Sequence, residues 1–168
     1  MNPVLVEWNK ADETAATEAM LACCGAHNWA AEMVRLRPIA NIAEVSEVAD
    51  REWAKMEETD WLEAFACHPR IGERAALGPK KSATWSEQEQ AGTAGASSTA
   101  MRELAKANAL YEQQFGFTYI VCATGKTAEE MLAILKSRLN NDRVTELKEA
   151  AEQQRQIMQI RLGKWLLA

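Results

Sequence analysis

The sequence lacks the features that mark several large classes of protein. No apolar run approaches the roughly 18 residues that a membrane-spanning helix needs. With 4 cysteines the chain has too few for a disulfide scaffold, and Cys23 and Cys24 are adjacent. We therefore expect Cys23, Cys24, Cys67 and Cys122 to be reduced thiols, most of them buried as small apolar residues.

An excess of positive charge is also missing. The 168 residues include 19 Lys and Arg against 24 Asp and Glu, for a formal charge of −5. This balance argues against a protein that coats nucleic acid or an anionic membrane, so neither is expected as a partner. The first residues lack the order of a signal peptide, and the last ones are not a Ser-Lys-Leu peroxisomal signal. We expect a cytoplasmic protein.

Neither an internal repeat nor a long linker divides the chain, which has the length of about one domain. Helical periodicity and capping signals predict helices at about 12–24, 29–36, 42–56, 60–67, 98–115, 127–140 and 142–163. Only the segment near 117–123 is strand-like, and it has no partner strand. We expect an all-α fold, a single-domain helical bundle over 1–168 with one short extended segment near 117–123.

The segment from His68 to Ser86 is punctuated by Gly72, Gly78 and Pro79, and long loops of this kind are often functional. Ser86 and Glu89 at its end form a Ser-x-x-Glu capping box, which predicts a helix start. A helix start also offers free N–H groups to an anion, but the spacing favours capping.

His68 is one of 2 histidines and stands where a predicted helix gives way to this loop. Histidine is the side chain best suited to proton transfer near neutral pH. Pro69 biases His68 towards an extended backbone, which would hold the imidazole off the helix axis. The alternative is a histidine that bonds the last carbonyls of its own helix, and the local pattern weighs both equally.

Two other patterns only partly match ligand sites. Gly-Lys-Thr at 125–127 follows the strand-like run, but the glycine that a phosphate-binding loop needs five positions earlier is Ile120. Cys23, Cys24 and His27 contain zinc-ligand types, but the second ligand pair would have to be the adjacent Cys67 and His68. Adjacency also argues against Cys67 and His68 as a nucleophile and its base.

Several blocks in the second half of the chain match the motifs of one family. They are Ala-Phe-Ala-Cys-His-Pro-Arg-Ile-Gly-Glu at 64–73, Trp-Ser-x-x-Glu-Gln-Ala-Gly at 85–92, Phe-Gly-Phe-x-Tyr-Ile-Val-Cys-Ala at 115–123 and Ile-Arg-Leu at 160–162. In this order and spacing they resemble the 2-oxo-4-hydroxy-4-carboxy-5-ureidoimidazoline (OHCU) decarboxylase family of urate catabolism. The resemblance extends from Trp29 to Arg161.

The resemblance implies an all-helical homodimer without a metal or organic cofactor. It implies a small-molecule ureidoimidazoline substrate, OHCU, converted to (S)-allantoin and carbon dioxide. The family's catalytic histidine falls on His68, and Glu89 is a candidate to orient its imidazole or accept a substrate N–H. The implied substrate contacts are Pro69, Ser86, Glu89, Gln90, the backbone at Ile120, Val121, Cys122 and Ala123, and Arg161.

These residue types suit such a substrate. Gln90 can both donate and accept hydrogen bonds, as a ureido group requires. The planar guanidinium of Arg161 can donate two parallel hydrogen bonds to a carboxylate. Backbone groups in an extended run without a sheet partner would be free for an amide-rich ligand. Two alternatives stay open: a helical interaction module that needs neither His68 nor Glu89, and a neighbouring ureide hydrolase or racemase.

Overall fold

The computed structural model describes residues 1–71, 80–93 and 95–168, and for 80–83 the backbone alone. The helices in these ranges are α1 (Pro3–Lys10), α2 (Glu13–Cys23), α3 (His27–Arg35), α4 (Ile42–Ala54), α5 (Glu58–Ala66), α6 (Lys80–Glu89), α7 (Ser98–Phe115), α8 (Ala128–Arg138) and α9 (Arg143–Leu166), with a short 3₁₀ helix at Ala91–Thr93. None of the described residues lies in a β-strand. The predicted all-α fold is confirmed.

The chain divides into two compact units. The first contains Met1–Ala64 and Arg155–Ala168, and the second contains Phe65–Gln154. The assignment of 1–168 to one domain stays a prediction. None of the helices in the described ranges combines the length and hydropathy that a membrane crossing needs.

Tryptophan side chains form much of the core of the first unit. The indole of Trp8 meets that of Trp165 edge to face, with ring centroids 5.7 Å apart. Trp8 Nε1 donates to the carbonyl of Ala16, and Trp29 Nε1 donates to that of Ala49, so neither buried indole leaves its N–H unpaired. These contacts join α1 to α2 and to the C-terminal part of α9, and they join α3 to α4.

Aromatic rings form the core of the second unit. The ring of Tyr111 in α7 lies 4.7 Å from that of Phe115, 5.8 Å from Phe117 and 5.3 Å from Tyr119. Phe65 at the end of α5 lies 5.5 Å from Phe117. The segment predicted to be extended, residues 117–123 (hereafter the extended segment), lies in no helix or strand and is nearly all buried, and Phe117 and Tyr119 supply its rings to this cluster.

A buried ionic network fixes the helices around that segment. Arg138, at the end of α8, donates from Nε to Glu146 of α9 at 2.7 Å and from Nη1 to the carbonyl of Ile120 at 2.7 Å. The hydroxyl of Tyr111 also donates to Glu146, and Asn141 Nδ2 donates to its other oxygen at 3.0 Å. The network therefore connects α7, α8, α9 and the extended segment.

Most helix ends lie near the predicted residues, and the differences have local causes. α1 was not predicted; the side chain of Asn2 caps it. α5 begins at Glu58 rather than Asp60, because the Asp60 carboxylate reaches back to the N–H of Glu57 at 2.9 Å. The cap of α7 is Ser97, one residue before the predicted Ser98.

Two predicted signals act as expected. Gly116 ends α7 with a φ of 81°, a conformation that glycine adopts without steric cost. Thr127 caps α8 by accepting from the N–H of Glu130 at 3.1 Å. α9 continues past the predicted end at Gly163 to Leu166. The predicted loop punctuation at Gly72, Gly78 and Pro79 lies outside the described residues.

We expect the tyrosines to remain protonated in the folded protein at pH values where free tyrosine ionises. The chain has 2 tyrosines, Tyr111 and Tyr119, and burial raises the pKa of both phenols. The hydrogen bond to Glu146 raises the pKa of Tyr111 further. A spectrophotometric titration should therefore show no tyrosinate absorption near pH 10 until the protein unfolds, whereas denatured protein should titrate normally.

The same shifts predict alkaline instability. Because the folded state holds these protons more tightly, their stabilising contribution is complete below the unfolded pKa and is lost as pH rises above about 10. Each tyrosine should lower the free energy of unfolding by about 1.4 kcal/mol per pH unit in that range. Normal ionisation in the folded protein would contradict the burial of both rings.

Candidate active site

His68 follows the end of α5 and is held on two sides. Its backbone N–H donates to the carbonyl of Phe65 at 3.1 Å and closes the last turn of the helix. Its imidazole Nε2 lies 2.7 Å from Oε1 of Gln154 in α9. The imidazole thus reaches a side chain of another helix, which agrees with the prediction that it projects away from its own helix axis.

The residues after His68 are anchored to α7. Pro69 is half-buried, and Arg70 makes a two-point ion pair with Glu112, with Nε and Nη2 at 2.6 and 2.8 Å from the two carboxylate oxygens. A planar guanidinium fork on a carboxylate fixes orientation as well as distance. This pair therefore holds the backbone that carries the imidazole.

The extended segment is fixed by side chains instead of a neighbouring strand. The carbonyl of Ile120 accepts from Arg138, the N–H of Cys122 donates to Oε1 of Gln153 at 2.8 Å, and the carbonyl of Cys122 accepts from Nζ of Lys126 at 2.7 Å. The expectation that all these backbone groups are free for a ligand is therefore wrong. The carbonyl of Ala123 accepts from the backbone N–H of Lys126 at 3.0 Å, so among residues 120–123 only Val121 has neither backbone group in a hydrogen bond within the described ranges.

Ser86 and Glu89 lie inside α6, which begins at Lys80. The capping-box interpretation, and with it a helix start at Ser86, is wrong, because Ser86 is the seventh residue of α6 and the first turn of the helix lies well before it. Both side chains are buried, with relative exposures of 4% for Ser86 and 7% for Glu89, and Gln90 is half-buried. Residues three apart share a helix face, so the carboxylate and the hydroxyl lie on one side of α6.

Gly92 brings the end of α6 against the turn that follows the extended segment. A Cβ at this position would lie 2.0 Å from the carbonyl oxygen of Lys126, so only glycine permits the observed approach. Gln90 precedes this contact by two residues, and Ala123 precedes Lys126 by three. The close backbone approach therefore brings two of the predicted substrate-binding stretches to the same part of the second unit.

The phosphate-loop and zinc patterns have structural explanations. Lys126 Nζ bonds the carbonyl of Cys122, and Gly125 turns the chain with a φ of 77° ahead of the cap of α8. Cys23 and Cys24 are buried, whereas the side chain of His27 is exposed and lies 3.2 Å from Glu63. In the part of the chain that the structure describes, no three His, Cys, Asp or Glu residues are placed to hold a metal ion.

Two consecutive glutamines of α9 contribute to this region and were missed at the level of sequence. Gln153 bonds the extended segment and Gln154 bonds His68. A pair of polar residues in the middle of a long helix gives no sequence signal that distinguishes it from a solvent-exposed face. Only the complete burial of Gln154 marks it as different.

Arg161 belongs to the first unit. It is buried, and its Nη1 lies 3.5 Å from the carbonyl oxygen of Ala22. Its role at the substrate stays a prediction.

A cavity of about 420 Å³ in the second unit lies along α7 and is lined by Arg70, Asn108 and Glu112 among others; none of the predicted site residues lines it.

Comparisons with known proteins agree with this architecture. The family model described as OHCU decarboxylase matches residues 9–163. The chain is 36% identical over 144 residues to the uric acid degradation bifunctional protein TTL of Arabidopsis thaliana, covering 84% of this chain and 44% of that protein. It is 33% identical over 97 residues to the 2-oxo-4-hydroxy-4-carboxy-5-ureidoimidazoline decarboxylase of Amia calva, covering 57% of this chain and 55% of that protein. The chain thus spans about half the length of these two relatives.

Solved structures show the same fold. A crystal structure of OHCU decarboxylase in the presence of (S)-allantoin superposes with a TM-score of 0.78 at 35% identity, covering 90% of this chain and 99% of that one. A crystal structure of (S)-allantoin synthase, at 17% identity and a TM-score of 0.70, shares the fold over 96% of this chain and 53% of its own. The family model, the relatives and the structures agree, and this chain belongs to the OHCU decarboxylase family.

Proposed function

We propose that the protein decarboxylates OHCU to (S)-allantoin and carbon dioxide in urate catabolism, with His68 moving the proton. The observation that carries the proposal is the fixed imidazole of His68 in a member of this family. Its Nε2 is bonded to a buried side chain, and its backbone segment is anchored through Arg70. An imidazole held in this way is preorganised for proton transfer.

The substrate itself supports a reaction without an organic cofactor. Its carboxylate is on a carbon that also bears a hydroxyl and lies next to a ring imine. When the bond to carbon dioxide breaks, the electron pair forms a double bond to the imine carbon, and the imine nitrogen takes a proton. Protonation of the former imine carbon, together with loss of the proton from the hydroxyl group, then gives allantoin. Because the imine accepts the electrons, a pyridoxal or thiamine cofactor would be redundant.

The protein's task is to orient the substrate and deliver the proton to one face. We assign proton transfer to His68. The buried carboxylate of Glu89 accepts hydrogen bonds from ring or ureido N–H groups in this proposal. Ser86 and Gln90 add neutral donors and acceptors near it, and Pro69 shapes the wall beside the imidazole. The resemblance assigns Arg161 to a substrate carboxylate or carbonyl.

The extended segment supplies backbone contacts in this proposal. The N–H and carbonyl of Val121, which bond no described residue, are the best candidates for a ureido or ring amide. Ile120 and Cys122 are fixed by the side chains described above, and the carbonyl of Ala123 accepts from the backbone N–H of Lys126. We further propose a cytoplasmic homodimer without nucleic-acid or membrane partners, which rests on the resemblance and on the net charge of −5.

The reaction is tested by product stereochemistry. With OHCU freshly generated from urate, and with a chelator and no added cofactor, the protein should produce optically active (S)-allantoin with release of carbon dioxide. Uncatalysed protonation has no preferred face and gives racemic product, so circular dichroism of the product is the measurement. Racemic allantoin at the uncatalysed rate would contradict the proposal, and hydrolysis or interconversion of enantiomers would indicate a different ureide enzyme.

Replacement of the imidazole should abolish most of the rate. His68→Asn removes the proton-transfer group while keeping a polar side chain, so we expect the fold to persist and kcat to fall by roughly two to four orders of magnitude. The matched control is His27→Asn, because His27 is the other histidine and is exposed. A His68→Asn variant with most of the wild-type rate would remove His68 from the mechanism.

The Glu89 carboxylate should matter to the reaction more than to stability. Glu89→Gln keeps the size of a side chain in the last turn of α6 but removes its charge, so the thermal midpoint should move little. We expect the rate to fall at least about tenfold, which corresponds to about 1.4 kcal/mol of transition-state stabilisation. Glu87→Gln, on the exposed side of the same helix, is the control. Equal turnover by both variants would show that Glu89 is not needed for catalysis.

A further inference from the structure

Gln154 is the side chain that contacts the imidazole of His68 from α9. Its Oε1 lies 2.7 Å from Nε2 of His68, and the residue is completely buried, with a relative exposure of 0%. Both residues belong to the second unit. A glutamine in the middle of a helix is usually solvated, so this position needs a reason.

Stability alone does not supply that reason. The Nε2 group of Gln154 makes no hydrogen bond to any residue in the described ranges. A buried amide with an unmatched donor costs free energy that an apolar side chain of similar size would not. Gln153, the preceding residue, is different, because its oxygen accepts from Cys122 and its nitrogen donates to Glu149. Gln153 has the contacts of a structural residue, and Gln154 does not.

We propose that Gln154 is a positioning residue that fixes the tautomer and ring orientation of His68. This inference rests on the proposed function of His68 as the proton-transfer group. An amide oxygen can only accept, so the imidazole nitrogen that faces it must carry the proton. Neutral imidazole has one protonated nitrogen, which leaves Nδ1 as the basic nitrogen that exchanges a proton with the substrate.

The hydrogen bond also restricts rotation of the ring. The backbone bond to Phe65 fixes the Cα of His68, and the bond to Gln154 fixes the far end of the imidazole. Rotating the ring to present Nε2 to the substrate would leave the buried oxygen of Gln154 without its partner. The geometry therefore selects one nitrogen and one direction for the proton, as a single-handed product requires.

The tautomer can be measured without any turnover. The chain has 2 histidines, so His27→Gln leaves His68 as the only imidazole in the protein. In that background, long-range ¹⁵N–¹H correlation spectra, recorded at a pH where the ring is neutral, should show Nε2 protonated and Nδ1 unprotonated. An Nδ1–H tautomer would mean that the amide has the opposite orientation and would overturn the proposal.

Two variants of Gln154 distinguish an acceptor from a spacer. Gln154→Met keeps a similar size but cannot hold the proton on Nε2 in this way, so we expect a mixture of tautomers. Gln154→Glu keeps an acceptor oxygen and should restore the Nε2–H form. If the Gln154 amide instead donated to the ring, Gln154→Glu would replace a donor by an acceptor and would change the tautomer of His68 rather than restore it. An unchanged tautomer in Gln154→Met, with the fold intact, would show that Gln154 does not set it.

The kinetic readout separates positioning from structure. Gln154→Met should lower kcat about tenfold or more with little change in KM, because the substrate still binds but the proton donor is misaligned. Gln154→Glu should recover part of kcat, and the exposed Gln113→Met should match the wild type. A kcat for Gln154→Met equal to the wild type would overturn the proposal. If the wild type fails to make (S)-allantoin, the proposed function fails, while the tautomer measurement still decides whether Gln154 orients His68.

Discussion

The second unit depends on one buried positive charge, the guanidinium of Arg138. A buried ion costs several kcal/mol unless its partners replace water, and here they do so on every side. Nε donates to Glu146, Nη1 donates to the carbonyl of Ile120, and the ring of Tyr119 lies 4.9 Å from the guanidinium carbon. Removing Glu146 would leave the charge of Arg138 without its counterion in the interior, and removing Arg138 would leave the carbonyl of Ile120 without a donor. The extended segment, α8 and α9 therefore stabilise one another through this network.

That constraint explains how a helical protein holds an extended segment. A strand normally satisfies its backbone groups with a neighbouring strand. Here Arg138, Gln153 and Lys126 take that place, and Tyr119 donates from its hydroxyl to the carbonyl of Met131 at 2.9 Å. Because side chains need not bond every group, Val121 keeps its N–H and carbonyl without described partners. The fold thereby leaves the backbone polar groups of Val121 without a described partner, which a paired strand would not do.

The same helix that fixes this segment also fixes the imidazole. Consecutive glutamines of α9 bond Cys122 and His68, so the extended segment and the imidazole share one support. Arg70 and Glu112 add a second support from α7. The proposed reaction needs this rigid placement, because its stereochemistry depends on the direction of one proton.

Periodicity, capping signals and motif spacing predicted the all-α class, the short non-helical segment near 117–123, the end of α7 at Gly116 and the family, because these signals are local. For His68 the local pattern weighed proton transfer and capping of its own helix equally, and only the family motif favoured the first. The local pattern misplaced the start of α6, where Ser86 and Glu89 mimic a cap, and it missed Gln154. Both points required the three-dimensional contacts. Burial and hydrogen-bond partners depend on residues far apart in the chain, such as His68 and Gln154, and a polar side chain within a helix has the same local pattern whether it faces water or an imidazole.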